Sequence, residues 1–488
     1  MFNVNLTKNT HVPLYEQLVA AIKTQIIQGK LRLGDILPPT RQLASQLSIS
    51  RTTVCKAYDE LYALGFIESH QGSYSKVRMP KTATSSEIKK AKTFDWSKRV
   101  TAKSQEIEDS LQHYYQQKNP TKIDFVAMEP DSNFMPVQDF RKALNTVLQQ
   151  QQSSLLKYGS ALGYLPLRKY LVEHLRQYGI AVTVDEILLT YGSQQSLDLI
   201  CQMLLKPNDS VLLESPCYSL MIPMLKKYQA QMIDIPMKQD GLNISTLAQS
   251  LENHHASFLY TTPNFHNPTG ISTNQAHREA LFELCKEYQL PIIEDGFVDE
   301  LRYFGKTALP IKAMDEDGQV IYLGSFSKIL FPGIRVGWVV ANKECIHHLS
   351  QLKLLSNLRG NQLNQAAMEV FCRHGFYDKH LKRTHAEYRR RMKLAINLAN
   401  QLFPTQYFSF TTPNGGYTLF VSAKSTAINE QTLIENISNA GVLVSPGKNF
   451  YPQPSDYAHF RISIAEQNEQ QITLGFEKIA KVLNQFCH

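Results

Sequence analysis

Residues 325–338 read SFSKILFPGIRVGW, with a lysine at 328 set among small hydroxyl residues and Arg335 seven places on. Apolar runs flank this loop: QVIYLGS (319–325) leads into it and VGWVVA (336–341) leads out. Both are short and rich in β-branched or aromatic residues, which predicts strands buried on both faces. Five similar runs lie upstream: EILLTYG (186–192), DSVLLESP (209–216), QMIDIPM (231–237), ASFLYTTP (256–263) and LPIIEDG (290–296). Helical patterns such as SLDLICQMLLK (196–206) and AHREALFELCKEYQ (276–289) separate them. Alternating strands and helices predict a mainly parallel sheet covered on both faces. Ligands of such sheets collect at the strands' carboxyl ends. Gly192–Gln194, Asn267, Asp295 and Ser325–Lys328 all fall there. The pattern predicts a large α/β body over 121–375. YFSFTTPNGGYTLFV, GVLVSPG and HFRISIA then predict a smaller α+β lobe over 376–488.

The polar residues at those strand ends describe one ligand. Gly192, Ser193 and Gln194 lie where a strand passes into a helix, whose free N–H groups and dipole favour phosphate. Ser325, Ser327 and Arg335 add donors, Arg335 as a fork onto two phosphate oxygens. Asp295 ends an apolar strand, where a carboxylate needs a positive partner, and a protonated pyridine nitrogen is one. Lys328, crowded by cations, is pushed toward the neutral form that attacks an aldehyde. Phosphate, pyridinium and aldehyde together are pyridoxal 5'-phosphate.

The chain's 488 residues predict two or three domains, since one domain spans ~100–200 residues. No apolar run reaches the ~18–20 residues of a membrane helix, and MFNVNLTKNTHV lacks the pattern of a signal peptide. The seven cysteines, at 55, 201, 217, 285, 345, 372 and 487, form no CxxC pair. Neither a disulfide framework nor a metal site is expected, and a cytoplasmic setting fits. Charge is uneven. Residues 1–104 hold 16 Lys+Arg against 7 Asp+Glu, whereas residues 105–488 hold 35 against 36. The net charge of +8 therefore resides at the front, as a polyanion-binding module would place it.

That front predicts three helices and a hairpin. Leu14, Leu18, Ile22 and Ile26 recur every fourth residue, with Pro13 in the first turn and Gly29 at the end. A short helix follows over Arg41–Leu47, then a turn at Ser48–Ser50 and a second helix from Arg51 capped by Ser50. Leu43, Ala44, Leu47, Ile49, Val54 and Leu61 form the shared core. Arg51, Thr52, Thr53 and Lys56 are left near the exposed start of a helix suited to a DNA major groove. FIESHQGSYSKV predicts a wing of two strands turning at Gln71–Gly72. Residues 79–120, rich in Lys, Ser and Thr, read as a linker, with a helix over EIEDSLQHYYQQ.

Two resemblances sharpen these readings. PLYEQL, IIQGKLRLGDILPPTRQLASQLSISRTTVCKAYDELYALGFIES resembles the GntR family of winged helix-turn-helix regulators over 12–78. It implies DNA contacts by Arg41, Arg51, Thr52, Thr53 and Lys56. The wing departs from the family pattern, with GSYSKV where GSGTFV is usual. Residues 121–480 resemble the fold-type I aminotransferases through GSQ, ESPCY, NPTG, IIED, SFSK and HFRISIA. That resemblance implies phosphate contacts from Gly192, Ser193, Gln194 and Arg335. It implies stacking of Tyr218 on the cofactor ring, Asn267 on its phenolic oxygen and Asp295 on its nitrogen. Lys328 bonds the aldehyde, Arg461 grips a substrate carboxylate, and Tyr158 reaches the phosphate of a partner subunit, which implies a homodimer. The fusion resembles the MocR/GabR subgroup of GntR regulators.

Two departures from the subgroup predict weak turnover: Phe297 replaces a tyrosine two places after the aspartate, and Met128 replaces the glycine of GxPD. The leading expectation is a regulator that binds double-stranded DNA at its front and senses the cofactor, an amine or an amino acid in its body. The alternatives are a working aminotransferase with a secondary front module, and a lyase-type enzyme with a basic front.

Overall fold

The computed structural model describes residues 6–7, 12–68, 74–78, 94–111, 121–306 and 308–487. It divides into two compact units, Met1–Arg99 and Val100–His488.

The first unit packs α1 (Leu14–Ile27) and α2 (Thr40–Leu47) on α3 (Arg51–Ala63). Leu18, Ile22 and Ile26, one face of α1, are buried with Leu43, Ala44, Val54 and Leu61. Leu47 and Ile49 pack against this core half-buried. Pro13 stands just before α1 rather than in its first turn. Ser48 adopts the left-handed conformation (φ 51°) that turns the chain from α2 toward α3. Strands β1 (Ile67–Glu68) and β2 (Lys76–Val77) pair antiparallel as the expected hairpin, and its Gln71–Gly72 turn lies outside the described residues.

The second unit is built on an eight-stranded sheet. Its strands are β4 (Ile187–Thr190), β5 (Ser210–Ser215), β6 (Gln231–Lys238), β7 (Gly241–Leu242), β8 (Ala256–Thr261), β9 (Ile292–Asp295), β10 (Val320–Ser325) and β11 (Gly337–Val340). The order is β4-β11-β10-β9-β8-β5-β6-β7. The run from β10 through β6 is parallel, β11 pairs antiparallel with both its neighbours, and β7 is antiparallel to β6. All seven runs expected as strands are strands. Alternate side chains serve opposite faces. Leu188, Val211, Leu213, Ile321, Leu323 and Val339 are buried beneath α7 (Ser193–Leu204), α8 (Met221–Lys227) and α11 (Lys343–Asn357). On the other face lie α5 (Val137–Gln151), α6 (Leu165–Arg176), α9 (Ile244–Asn253), α10 (Gln275–Glu287) and α12 (Gln362–Arg373).

The smaller lobe carries the sheet β12 (Phe408–Phe410), β13 (Thr418–Ala423), β16 (His459–Ser463) and β15 (Ser445–Pro446). With it are α13 (Phe376–Leu402), α14 (Glu430–Asn439) and α15 (Glu469–Asn484).

Two boundaries differ from the sequence expectation. Strand β3 (Ile123–Asp124) pairs with β14 (Val442–Leu443), so the start of the expected large body belongs to the small lobe's structure. Helix α4 (Ala102–Leu111), inside the expected linker, packs on α8, with Glu106 and Lys226 3.6 Å apart. Its polar sequence conceals that contact, because a helix docked by few apolar groups keeps a linker's composition.

Candidate functional site

Strands β4, β5, β8, β9 and β10 all run the same way, so their carboxyl ends meet along one edge of the sheet. Gly192 caps α7 there with φ 97°, a backbone conformation that disfavours any side chain. A Cβ at Gly192 would meet the Arg335 guanidinium at 3.3 Å, and one at Gly337 would meet the Gly192 backbone at 2.7 Å. These glycines let the loop after β4 and the loop before β11 close on each other. Arg335, itself left-handed at φ 49°, donates to the Tyr191 carbonyl and stands beside the free N–H end of α7. Ser193 and Gln194 open that helix.

The loop after β10 brings its hydroxyls to the same place. Ser325 Oγ accepts from the Ser327 N–H at 3.1 Å, and the buried Ser327 Oγ has no hydrogen-bond partner among the described residues. Lys328 follows, its carbonyl accepting from the Tyr417 hydroxyl at 2.8 Å. Burial lowers the Lys328 ammonium to about 8, Arg461 and Arg335 push the same way, and Glu129 opposes them. At pH 7 that leaves roughly one lysine in ten neutral.

Asp295 ends β9 fully inside the protein. Its Oδ2 accepts from the Tyr260 hydroxyl at 2.9 Å, while Oδ1 lacks a partner of good geometry. Burial raises this carboxyl to about 7, helped by Asp299 and Glu214 and opposed by Tyr260 and the Phe297 N–H. A cation is what the site lacks. Phe297 is buried in the core two places on.

Asn267 and Arg461 come together. Arg461 Nη1 donates to Asn267 Oδ1 at 2.8 Å, and Nη2 donates to the Val126 carbonyl at 2.7 Å and Ser445 Oγ at 2.9 Å. The Phe450 ring lies 5.1 Å beneath the guanidinium. Tyr218 reaches Gln194 Oε1 with its hydroxyl at 3.4 Å. Tyr158 does not join this group within one chain: it is 80% exposed and hydrogen-bonds to none of these residues.

Residues 120–479 match the profile of the family described as aminotransferase class I and II. The chain belongs to that family. Its front, residues 14–77, matches the gntR family of bacterial regulatory proteins, which makes this family member a MocR-type fusion. An aromatic-amino-acid aminotransferase of Thermococcus litoralis is 32% identical over 73% of this aminotransferase-family chain and 86% of its own. The HTH-type transcriptional regulator YdfD of Bacillus subtilis, itself uncharacterized, is 28% identical over 98% of both. The kynurenine aminotransferase of Pyrococcus horikoshii, solved with PMP, superposes with a TM-score of 0.75 at 29% identity, over 81% of this chain and 99% of its own.

The aminotransferase fold implies pyridoxal phosphate, and the residues present fit it. The unpartnered Asp295 Oδ1 and Ser327 Oγ, the glycine-lined cradle beside Arg335 and a lysine held partly neutral are the chemistry that cofactor requires. Among the described residues no group of acidic, His or Cys side chains is arranged to hold a metal, and no helix is long and apolar enough to cross a membrane.

In the first unit Ser50 Oγ accepts from the Thr53 N–H at 3.1 Å, capping α3 as expected. The Thr52 and Thr53 hydroxyls lie 2.7 Å from the same oxygen. Arg41, Arg51, Thr52 and Lys56 are exposed and Thr53 is half-buried. Lys56 Nζ sits 3.9 Å over the Tyr15 ring, so its charge is partly engaged by α1.

Sequence reasoning missed Arg278, which is fully buried and holds the loop that carries Asn267. It also missed Tyr417, which fixes the backbone of Lys328. An arginine on an amphipathic helix gives no local sign that it points inward.

Proposed function

We propose that this protein is a pyridoxal phosphate-dependent transcriptional regulator. Its winged helix-turn-helix binds double-stranded DNA, and its aminotransferase-like body senses an amine, an amino acid or the cofactor itself. The observation that carries the reading is the coexistence, in one chain, of a capped α3 with Arg51 and Thr52 exposed at its start and, at the sheet's carboxyl edge, the buried Asp295 carboxyl and the buried Lys328. The near full-length match to an HTH-type regulator supports it.

In the body, Gly192, Ser193, Gln194, Ser325, Ser327 and Arg335 would hold the phosphate, and Tyr218 would stack on the ring. Asn267 would meet the phenolic oxygen, Asp295 would face the ring nitrogen, and Arg461 would receive a ligand carboxylate. Tyr158, exposed in one chain, would serve the phosphate of the second subunit of a homodimer. Bound there, the cofactor supplies an aldehyde that takes up an amine nitrogen and a ring that withdraws electrons from it. Lys328 carries the proton traffic, since a lysine near 8 both loses and regains a proton close to neutral pH. Without a tyrosine at 297, turnover is slow and occupancy of the site becomes the signal. A ligand shifts the body only by its difference in affinity for two conformations.

The front and body are tested separately. DNase footprinting on DNA flanking the gene, with and without pyridoxal phosphate, should show a protected site whose extent or affinity changes with the cofactor. Arg51→Ala should weaken binding and lower the slope of log affinity against log salt by about one, the signature of one lost phosphate contact. An unchanged slope and affinity would remove Arg51 from the DNA interface. For the body, Lys328→Ala should lose the cofactor's visible absorbance on gel filtration while the wild-type protein retains it. Borohydride should link the cofactor to Lys328 in the wild-type protein. Equal retention by both proteins would refute the covalent role.

A further inference from the structure

Helix α11 turns a lysine inward. Ile346, Leu349, Ser350 and Lys353 share its buried face at spacings of three, four and seven, where an apolar residue is the usual last occupant. Lys353 is 1% exposed. Among the described residues it makes no ion pair, and its ammonium has one hydrogen bond, to the Ala161 carbonyl at 2.7 Å. Burial lowers that ammonium to about 8, and Arg359 and Arg168 push the same way. At pH 7 it is therefore mainly a desolvated cation, which destabilises the folded chain. The core of α11 gives no reason for a lysine here.

The segment it holds does. Residues 157–164 run without regular structure from the turn of helix at Gln152–Leu156 to α6, and they present Tyr158, which is 80% exposed. Their second half is fixed to β4 and α12. The Leu162 carbonyl accepts from the Leu189 N–H at 2.9 Å, and the Tyr164 N–H donates to Gln365 Oε1 at 2.9 Å. In the first half Gly159 lies against Gln362, and a Cβ there would run into that side chain. Among the described residues, Lys353 is the one side chain outside the segment that hydrogen-bonds to residues 157–161. Ala161 is the second residue of a turn closed by the Gly163 N–H on the Ser160 carbonyl at 3.1 Å. The ammonium therefore grips the turn's central peptide. Three peptide units, at most about 11 Å, separate that grip from Tyr158. The start of α12 also holds the loop before Arg335, since Asn364 Nδ2 donates to the Ile334 carbonyl at 3.1 Å. The segment that presents Tyr158 and the loop of the phosphate arginine are thus fixed to one helix.

We propose that Lys353 is a positioning residue for the cofactor site of the second subunit, fixing through Ala161 the segment that delivers Tyr158 to that subunit's phosphate. This rests on the homodimer reading given above, in which Tyr158 crosses to the partner.

The test titrates full-length, cofactor-free protein with pyridoxal phosphate at pH 7, reading the absorbance of the bound cofactor. Wild type, Tyr158→Phe, Lys353→Met and the double variant are compared. Methionine nearly keeps the length of the lysine chain and drops the charge, so the cofactor-free melting temperature of Lys353→Met should equal or exceed that of the wild type. Tyr158→Phe should weaken cofactor binding about tenfold, the factor one hydrogen bond to a charged group gives. Lys353→Met should weaken it roughly threefold or more in the wild-type background and not at all in the Tyr158→Phe background, because its effect passes through the phenol. Unchanged affinity in Lys353→Met would overturn the inference. So would an equal loss in both backgrounds, which marks a lysine that supports the fold alone. If Tyr158→Phe binds the cofactor as the wild type does, the crossing tyrosine itself is refuted and the inference with it, a result distinguishable from the other two.

Discussion

Asp295→Asn should make the cofactor-free protein more stable at pH 8 and make the cofactor a poorer stabiliser. The carboxyl is buried, its Oδ1 lacks a good partner, and its value stands at about 7 instead of the usual 3.8. The folded state therefore binds a proton more tightly than the unfolded chain does between those two values. On this account stability falls as pH rises from about 4 to about 7 and stays low above that. The difference between the usual 3.8 and about 7 corresponds to about 4 kcal/mol as an upper bound. Asparagine keeps the size and can still accept from the Tyr260 hydroxyl, and it carries no charge to desolvate. Thermal melts of the cofactor-free proteins should separate at pH 8 and converge near pH 4. A protonated ring nitrogen supplies the missing cation, so pyridoxal phosphate should raise the wild-type melting temperature more at pH 8 than at pH 6. The Asn variant should lose most of that increment. Coincident melts of the two cofactor-free proteins at pH 8 would show that Asp295 is compensated in some other way.

The readability of that site and the opacity of its supports have physical causes. Strands β4, β5, β8, β9, β10 and β11 are covered on both faces, so each is an uninterrupted apolar run, and a polar residue at its end marks where the sheet stops. Asp295, Ser325 and Gly192 were legible for that reason. The α3 cap was legible because Ser50 and Thr53 are three residues apart, within the reach of one side chain. Contacts between distant parts of the chain carry no such mark. The pairing of Ile123 with Val442 joins strands of two residues each, too short to show a period. The bond from Arg461 to Asn267 spans 194 positions. Helix α4 reads as linker because none of its residues is buried and only Ile107, Ser110 and Leu111 are half-buried, even though it packs on α8. Buried charges mislead most, since Lys and Arg are normally solvated, and only the fold shows Arg278 turned inward.

Replacing that arginine should have the largest effect on stability of any single change considered. Arg278 is fully buried on α10. Nε donates to Thr273 Oγ1 at 2.8 Å, Nη1 to the Leu309 carbonyl at 2.9 Å, and Nη2 to Asn264 Oδ1 at 2.7 Å and the Pro263 carbonyl at 3.2 Å. These acceptors bracket residues 263–273, the loop on which Asn267 sits. The guanidinium also restrains buried Glu294, whose carboxyl burial raises to about 7. Arg278→Leu fills the space with an apolar chain but leaves several buried acceptors unmatched and Glu294 without its cation. Removing one partner from such a buried network costs about 3–5 kcal/mol, set against a total stability of about 5–15 kcal/mol for a typical fold. Arg278→Lys keeps the charge without the planar fork, so it should recover only a minor part. The loss should be local before it is global. Amide exchange should accelerate in 263–273 ahead of the strands, and cofactor affinity should fall with it, because Asn267 loses its fixed position. Because α3 and its capping bond belong to the first compact unit, DNA affinity measured well below the melting temperature should hold. An Arg278→Leu protein that melts with the wild type would mean the loop's hydrogen bonds are replaceable by water, and that burial of the arginine is incidental to the site.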